Sequence, residues 1–251
     1  MSYYNASNIR YNSTIYTGVY MQPHLHSSYE LIYALEGKTE VTLNGASKML
    51  FEGELMLISP YSVHGVLVDS RSRAWIGSGF DDMILPFSEK NENLHFSSFT
   101  CDGQIEKMLQ KYLFIESEPE HFMLMSCLYM VCNECEKNAK SAVRRGEGTF
   151  MRSVTEYVTE NLSSDVSLRE MAELLGYEYH YASMLFNDCF GINFKSFLNM
   201  LRYDTACRQL SDKSKDIGEI SQACGFGSVR NFNRVFKSMS GMTPREYRSV
   251  K

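Results

Sequence analysis

Two similar stretches near the C-terminal end of this 251-residue chain constrain its fold more than any other feature. Leu168 aligns with Ile217, an offset of 49 residues, and Gly191 aligns with Gly241, an offset of 50 residues. In each stretch, apolar residues recur at helical spacing, stop at a glycine such as Gly225, and then resume. The spacing survives a one-residue insertion in the turn, so the stretches predict a tandem module with one packing scheme.

The second helix of the second stretch is predicted to have a solvent-exposed face that is basic and rich in side-chain amides. Its candidate DNA-binding residues are Ser228, Arg230, Asn231, Asn233, Arg234 and Lys237. In the major groove, Arg forks onto guanine, Asn pairs with adenine, and Lys neutralises phosphate. A single basic helix is more often a solvated surface. Because a second copy is present, we favour two helix-turn-helix units instead, at about 168–190 and 217–240.

The two copies differ in their chemistry. The candidate DNA-binding residues of the first copy are His180, Ser183, Met184 and Asn187. Residues 147–206 include 4 Lys and Arg against 9 Asp and Glu, whereas residues 207–251 include 9 against 4. We therefore expect the second helix-turn-helix unit to bind phosphates strongly and the first helix-turn-helix unit to read bases weakly.

At these residues the chain resembles the DNA-binding domain of the AraC/XylS family of bacterial transcription regulators. The resemblance covers about residues 150–248. Its most specific part is carried by Gly225, Phe226, Ser228, Phe232, Arg234, Phe236, Lys237, Gly241, Thr243, Pro244, Tyr247 and Arg248. The resemblance implies that a connecting helix, from Phe194 to about Leu210, holds two recognition helices on one face of the DNA. The implied partners are double-stranded promoter DNA and RNA polymerase.

The N-terminal half has a different pattern. From residue 15 to about 79, short runs of β-branched, aromatic and other apolar residues are broken by Gly, Pro and Asn, which predicts a sandwich or small barrel. Asn44 and Gly45 tolerate positive φ and predict a hairpin turn between two strands. Farther along, residues 105–113 and 122–135 have apolar residues at helical spacing, so each predicts a helix.

A histidine motif with specific spacing lies within this half. The pattern G-x5-H-x-H-x3-E-x6-G is formed by Gly18, His24, His26, Glu30 and Gly37. It resembles the first motif of the cupin superfamily. The second cupin motif is partial, with a proline-to-histidine spacing one residue short, and is formed by Gly53, Pro60 and His64. The resemblance implies a cupin-like double-stranded β-helix, or jelly-roll barrel, with trailing helices.

This cupin-like domain is expected to bind a small molecule. The candidate ligand-binding residues are His24, His26, Glu30, Tyr33, His64 and Trp75. In metal-binding cupins, the positions that match His24, His26, Glu30 and His64 hold a divalent ion. In AraC-type sensors the same motif surrounds a sugar or other small-molecule pocket without metal, and a third interpretation is that the histidines are structural. We expect a ligand pocket without cofactor, and sugar is the default ligand.

Composition narrows the class of protein further. The formal net charge is −5, and the seven cysteines are odd in number and scattered in apolar patterns, as in a reducing compartment. Cys132 and Cys135 form a C-x-x-C in a helical run, which we interpret as core packing because a structural zinc ion needs four ligands. The chain has no apolar run of about 18 residues, so we expect a cytoplasmic protein without a membrane segment.

The predicted organisation is a multidomain α and β protein. Residues 1–136 form the cupin-like domain, residues 137–149 a linker, and residues 150–251 the all-α DNA-binding domain. The expected function is transcription regulation in response to a small molecule, without enzymatic activity, and the resemblance implies a homodimer. Two alternatives stay open: a metal-dependent cupin enzyme fused to a DNA-targeting domain, and an architectural DNA-binding protein that responds to no ligand.

Overall fold

We describe a computed structural model of the chain, which covers residues 2–4, 10–80, 83–91, 98–115, 120–138 and 147–250. Internal contacts divide the chain into two compact units, Met1–Gly148 and Thr149–Lys251. The first unit combines two β-sheets with helices, and the second is helical. Each unit has its own buried apolar core.

The strands of the first unit form two antiparallel sheets. They are β1 (Ser2–Tyr4), β2 (Arg10–Tyr16), β3 (Val19–His24), β4 (Glu30–Glu36), β5 (Lys38–Leu43), β6 (Ala46–Phe51), β7 (Glu54–Ile58), β8 (His64–Val68), β9 (Arg73–Ser78) and β10 (Phe99–Thr100). The six-stranded sheet has the order β1-β2-β9-β4-β7-β10, and the four-stranded sheet has the order β3-β8-β5-β6. Asn44 and Gly45, with φ of 47° and 83°, form the predicted hairpin turn between β5 and β6.

Strand β4 divides the first unit into two cores because successive side chains point to opposite faces of the sheet. Ile32 and Ala34 pack with residues of both sheets, such as Val66, and form the core between the sheets. Leu31 and Tyr33 belong to the other core, which lies between the six-stranded sheet and the helices. The central strand β4 is therefore buried on both of its faces.

The described helices of this unit are α1 (Leu85–Lys90), which precedes β10, and α2 (Gly103–Tyr112) and α3 (His121–Asn138), which follow it. The two helices predicted from apolar spacing correspond to α2 and α3. Cys132 and Cys135 are buried free thiols of α3, and burial raises the pKa of Cys132 to about 12. Two aromatic residues assigned to the apolar face of α3 are exposed instead, Phe122 at 81% and Tyr129 at 43%. None of the described helices is both long and apolar enough to span a bilayer.

The helices of the second unit are α4 (Glu147–Glu160), α5 (Leu168–Leu174), α6 (Tyr179–Phe190), α7 (Phe194–Gln209), α8 (Ile217–Ala223), α9 (Val229–Ser240) and α10 (Pro244–Val250). Helices α5 and α8 have seven residues each, and α6 and α9 have twelve each. The predicted repeat is thus confirmed, because the first helices start 49 residues apart and the second helices 50 residues apart. Helix α7 is the predicted connecting helix.

The predicted linker, residues 137–149, is shorter at both ends than the sequence suggested. Lys137 and Asn138 continue α3, and α4 begins at Glu147. The polar composition of the segment hid these helical turns, since exposed helix ends are also polar. The intervening residues 139–146 lie outside the described part of the chain.

A close backbone approach fixes the turn between α8 and α9. Gly225 has φ of 75°, and a Cβ atom at this position would overlap the carbonyl oxygen of Leu162. The guanidinium of Arg202 donates hydrogen bonds to the carbonyl oxygens of Leu162, at 3.3 Å, and Ser164, at 2.8 Å. The left-handed conformation and the lack of space together require glycine here. Gly241, at the end of α9, has φ of 74° but has open space around it.

We predict that Gly225→Ala destabilises the second unit by about 3 kcal/mol or more, because backbone strain and steric overlap add. Gly241→Ala is the matched control, and only the left-handed strain of about 1 kcal/mol applies to it. Hydrogen exchange of peptides from α8 and α9 in the full chain measures both effects. Equal protection losses in the two variants would contradict the steric argument.

Candidate ligand site and nucleic-acid interface

Three histidines and one glutamate meet at one end of the core between the sheets. His24 ends β3 and pairs with His64 at the start of β8, while Glu30 begins β4 in the other sheet. Their candidate ligand atoms, with that of His26, all lie within 4.8 Å of one another. His64 and Glu30 are buried, whereas His24 and His26 are partly exposed. The fold therefore brings together four of the six predicted ligand-binding residues.

Backbone carbonyls orient all three imidazole rings. The Nδ1 atoms donate hydrogen bonds to Gln22 O at 2.9 Å from His24, to Ser28 O at 2.8 Å from His26, and to Ser62 O at 2.9 Å from His64. A carbonyl oxygen can only accept, so each Nδ1 carries a proton. The Nε2 atoms of His26 and His64 lie 3.3 Å and 3.2 Å from the Glu30 carboxylate.

Burial and neighbouring charges shift the pKa values of His24 and Glu30. Burial, followed by repulsion from His64, lowers the pKa of His24 to about 4, so His24 is neutral near pH 7. Burial alone raises the pKa of Glu30, but the interactions with His26 and His64 outweigh burial and hold the pKa well below its usual range. Glu30 is thus an ionised carboxylate inside the protein. Its charge and the lone pairs of the imidazoles together favour a cation.

Tyr33 and Trp75 do not join this cluster, which corrects their predicted grouping with the histidines. Both side chains lie on the opposite face of the six-stranded sheet, in the core that the helices cover. The Trp75 side chain is fully buried and its indole nitrogen donates to Ser13 Oγ at 2.9 Å. Glu30 and Tyr33 are three residues apart in one strand, so the twofold period puts them on opposite faces.

The solvent-exposed face of α9 is polar and basic, as the sequence predicted. Phe232, Val235 and Phe236 are buried, and the opposite surface is polar. The exposed members of the predicted set are Ser228, Arg230, Asn233, Arg234 and Lys237. Because the side chains of Arg230, Arg234 and Lys237 lie outside the core, this surface can contact the phosphates and base edges of a duplex.

Two residues of the predicted set also shape the helix itself. Ser228 caps α9 by accepting the Asn231 backbone N–H at 3.2 Å. The Asn231 side chain donates to Phe226 O at 3.1 Å and accepts from Arg234 Nη2 at 2.9 Å. Asn231 is thereby half-buried and positions the Arg234 guanidinium. The sequence pattern offered no signal for this positioning, because it depends on the turn geometry.

The corresponding surface of α6 has both polar and apolar side chains and no lysine or arginine. His180, Met184 and Asn187 are exposed, Ser183 is half-buried, and Tyr181 is 50% exposed. The Glu178 carboxylate caps the helix by accepting the Tyr181 backbone N–H at 3.1 Å. The capping carboxylate adds negative charge at the end of α6, whereas the corresponding cap of α9 is the neutral Ser228.

Comparison with known proteins agrees with this architecture. The family model described as AraC-like ligand binding domain matches residues 8–151, and a helix-turn-helix domain model matches residues 156–249. The probable transcriptional regulator LumQ of Photobacterium leiognathi is 22% identical over 233 residues, which cover 89% of this chain and 90% of LumQ. An uncharacterized HTH-type transcriptional regulator of Staphylococcus aureus is 32% identical over 98 residues. That match covers 39% of this chain and 13% of the relative's length.

Solved structures give the same picture of the fold. ToxT from Vibrio cholerae, at 1.65 Å resolution, matches with a TM-score of 0.62 and 13% identity, and the match covers 96% of this chain and 98% of ToxT. Another structure is of wild-type ToxT bound to an unsaturated fatty acid, with a TM-score of 0.60 and 13% identity over 95% of this chain and 94% of that one. At this identity the likeness establishes the fold alone.

A β-sheet ligand domain followed by a tandem helix-turn-helix domain defines a class of two-domain transcription regulators. The first family model spans more than half of the chain, and the second covers most of the remainder. The chain belongs to the AraC family. This family evidence points to a transcription regulator and not to an enzyme.

We predict that Trp75→Ala lowers the free energy of unfolding of the first unit by about 3–5 kcal/mol, because a fully buried indole is lost. Urea denaturation followed by circular dichroism measures the change. The control is Tyr20→Ala, which removes a ring that is 64% exposed and is expected to change stability by about 0.5 kcal/mol or less. Similar stability of the two variants would contradict the core position of Trp75.

Proposed function

We propose that this chain is a sequence-specific DNA-binding transcription regulator that responds to a small molecule. The observation that carries the proposal is the exposed basic face of α9 on a complete tandem helix-turn-helix module. The first unit is the sensor, since it contains a buried polar cluster open to solvent on the side of His24 and His26. Ligand control requires that the small molecule bind two states of the protein unequally.

The two helix-turn-helix units contribute differently in this proposal. Helix α9 holds the duplex through Arg230, Arg234 and Lys237, each of which can displace a counterion from a phosphate. Arg234 is also oriented by Asn231, which suits it to a fixed contact with a base or phosphate. Helix α6 adds weak readout through His180, or apolar contact from Met184 to a thymine methyl. Affinity is concentrated in the second helix-turn-helix unit, and the first helix-turn-helix unit adjusts the choice of sequence.

The chemical class of the effector depends on the histidine cluster. The sugar predicted from the resemblance stays a prediction, and two of its predicted binding residues, Tyr33 and Trp75, lie in the other core. The ToxT structure described as bound to an unsaturated fatty acid gives a carboxylate-bearing ligand as a second candidate class. Both kinds of ligand carry oxygen atoms that can reach the partly exposed His24 and His26.

The partners we propose are double-stranded promoter DNA, a second copy of this chain, and RNA polymerase. Helix α3 supports the second copy, because Phe122 and Tyr129 are exposed, seven residues apart, and so lie on one side of the helix. Exposed aromatic residues in one stripe are typical of protein interfaces. The remaining alternatives of a metal-dependent enzyme and an architectural protein have less support, since family membership points to regulation.

We predict that Arg234→Ala weakens binding to all duplexes and reduces the slope of log K against log salt by about 1, because one phosphate contact is lost. His180→Ala is expected to keep that slope and to change the preference among base sequences. The probe is a duplex enriched from a random pool by the full chain, and fluorescence anisotropy over about 50–200 mM salt gives both quantities.

The control for this experiment is Lys107→Ala, which removes one exposed positive charge from α2 in the first unit. It is expected to leave the salt slope unchanged. The assignment of roles would be wrong if Arg234→Ala left affinity and slope unchanged while His180→Ala abolished binding. If the full chain enriched no sequence from the pool and bound no duplex, the proposal of DNA binding would fail.

We predict that Phe122→Asp weakens self-association by about tenfold or more, which corresponds to about 1.4 kcal/mol, because a charge replaces an apolar contact. Sedimentation velocity at several protein concentrations measures the dissociation constant. Phe51→Asp is the control, since Phe51 is 60% exposed on β6 and away from α3. A dimer that withstands Phe122→Asp but not Phe51→Asp would place the interface on the sheet instead.

A further inference from the structure

We infer that a groove in the helical unit binds the phosphate group of a phosphate ester. The groove has a volume of about 700 Å³ and is lined by the loop after α4, by α7, by α8 and by the start of α9. Protein pockets for small molecules have volumes of about 300–1,000 Å³. All of its lining residues belong to the compact unit Thr149–Lys251. The histidine cluster of the β-sheet unit has no part in this groove.

A buried hydroxyl group in the wall of this groove lacks a partner. Ser221 of α8 lines the groove and is only 2% exposed. Among the described residues, no group forms a hydrogen bond with Ser221 Oγ. A buried hydroxyl group without a partner costs free energy, because it has given up its hydrogen bonds to water. The position of Ser221 therefore indicates a ligand that supplies the missing hydrogen bond.

The tandem repeat indicates that helix packing does not require this hydroxyl group. Ala172 occupies the matching position in α5, at the offset of 49 residues, and is fully buried. At the same offset, Gly218 of the groove matches Arg169, whose guanidinium lies over the Tyr179 ring at 4.5 Å from its centroid. The second copy thus has a hydroxyl group where the first has a methyl group, and it has no side chain where the first has a long one. Both differences suit a groove that admits a polar ligand.

Hydrogen-bond donors line this groove on three helices. The Arg202 guanidinium of α7 donates through Nε and Nη2 to two backbone carbonyl oxygens, and its Nη1 atom has no hydrogen-bond partner among the described residues. Gln222 of α8 is exposed, and its side-chain amide offers two N–H groups. Helix α9 has twelve residues and begins with the backbone N–H groups of Val229 and Arg230, which no carbonyl of the helix can accept.

This set of donors favours an oxyanion. Hydroxyl, amide and guanidinium groups all donate to phosphate oxygens, and the positive end of a helix dipole adds to the attraction. The hydroxyl groups of Ser163, Ser164 and Ser228 also line the groove, and each of them can donate. Phosphate has oxygen atoms on all sides, so donors from several elements can bind it at once.

The size of the groove and one acidic residue define the rest of the ligand. A phosphate ion is no larger than a few water molecules, each of about 30 Å³, so the groove has room for the organic part of an ester. The exposed Asp165 carboxylate at the groove can accept from a hydroxyl group of that part. The ester can be a phosphodiester of the duplex or a soluble sugar phosphate. Asp165 favours the soluble source, because the deoxyribose of duplex DNA has no free hydroxyl group.

A bound ester would also affect the recognition helix. Ser228 and Val229 line the groove and form the start of α9, the helix that presents Arg230 and Arg234. A soluble ester there would change the affinity of the second helix-turn-helix unit for DNA. This consequence rests on the proposed DNA binding, whereas binding of the ester to the free chain does not.

The test titrates the full chain, without DNA, with inorganic phosphate, ribose 5-phosphate and ribose in a calorimeter. We expect one ribose 5-phosphate per chain, with an affinity about tenfold or more above that of ribose, because ribose lacks the phosphate group. Ser221→Ala is expected to weaken this binding by about three- to tenfold, because one hydrogen bond is lost. Gln222→Glu is expected to weaken it by about tenfold or more, because a carboxylate replaces an amide donor of similar shape and repels phosphate.

The matched control is Gln104→Glu, which makes the same change of charge at an exposed residue of α2 in the β-sheet unit. It is expected to bind ribose 5-phosphate as the wild type does. Ser221→Ala is expected to fold, since Ala172 fills the matching position of the first copy, and circular dichroism checks the fold of each variant. Arg202 is left unchanged, because its guanidinium also holds the turn at Gly225.

A second measurement decides between the two sources of the phosphate. Fluorescence anisotropy compares binding of the enriched duplex to the wild type and to Ser221→Ala, in buffer without phosphate. If the source is soluble, ribose 5-phosphate binds the free chain and Ser221→Ala leaves the affinity for the duplex unchanged. If the source is the duplex, ribose 5-phosphate does not bind the free chain, and Ser221→Ala weakens binding of every duplex by about three- to tenfold.

Two results would overturn the phosphate site. The first is a free chain that binds neither inorganic phosphate nor ribose 5-phosphate, together with equal duplex affinity of Ser221→Ala and the wild type. The second is ribose 5-phosphate binding that is equally strong in the wild type and in Gln222→Glu. A chain that binds ribose 5-phosphate through Ser221 but binds no duplex would support the phosphate site and contradict the proposed DNA binding alone.

Discussion

Burial of strand β4 on both faces is the constraint on which the β-sheet unit depends. Strand β4 has one set of side chains in the core between the sheets and the other set in the core under the helices. Large aromatic residues such as Tyr33 and Trp75 fill the helix-covered core, where there is room for rings. The core between the sheets holds aliphatic residues, and Glu30 lies on the same face of β4 at one end of that core. The chemistry of the candidate site follows from this division of space.

The second unit depends on a different constraint, which is the fixed turn between paired helices. Gly225 touches the backbone at Leu162, and Arg202 ties the same segment through its guanidinium. Ser228 and Asn231 then set the start of α9 and the direction of Arg234. A recognition helix must hold its side chains in fixed positions to discriminate bases, and the close approach at Gly225 together with these hydrogen bonds restricts the motion of α9.

Local patterns in the sequence were sufficient for much of this structure. Asn44 and Gly45 specify their turn by backbone conformation alone, and the repeat at offsets of 49 and 50 specifies two units of equal helix length. The spacing of His24, His26 and Glu30 was sufficient to predict that they lie close together. These successes share one cause: each rests on residues close in sequence, or on a comparison of two segments of the same chain.

Predictions that depended on three-dimensional context were less successful. Trp75 and Tyr33 were grouped with the histidines as aromatic partners for a sugar, but alternation along the strands puts them on the opposite face of the sheet. Phe122 fits the apolar period of α3 but is exposed, since hydrophobic spacing does not say what covers a helix. The carbonyls of Gln22, Ser28 and Ser62 that orient the imidazoles leave no trace in the sequence, because any residue supplies a carbonyl.

The two helix-turn-helix units demonstrate how one packing scheme supports different surfaces. Phe186 and Phe236 occupy matching buried positions, so the apolar core is kept in both copies. At the surface, Met184 of the first copy matches Arg234 of the second, and both side chains are exposed. Packing constrains the interior of each unit, while charge at the exposed positions is free to differ. If the module binds DNA as proposed, the acidic first helix-turn-helix unit and the basic second one attract the duplex unequally. Contacts of the weaker unit can then form and break while the stronger unit stays bound.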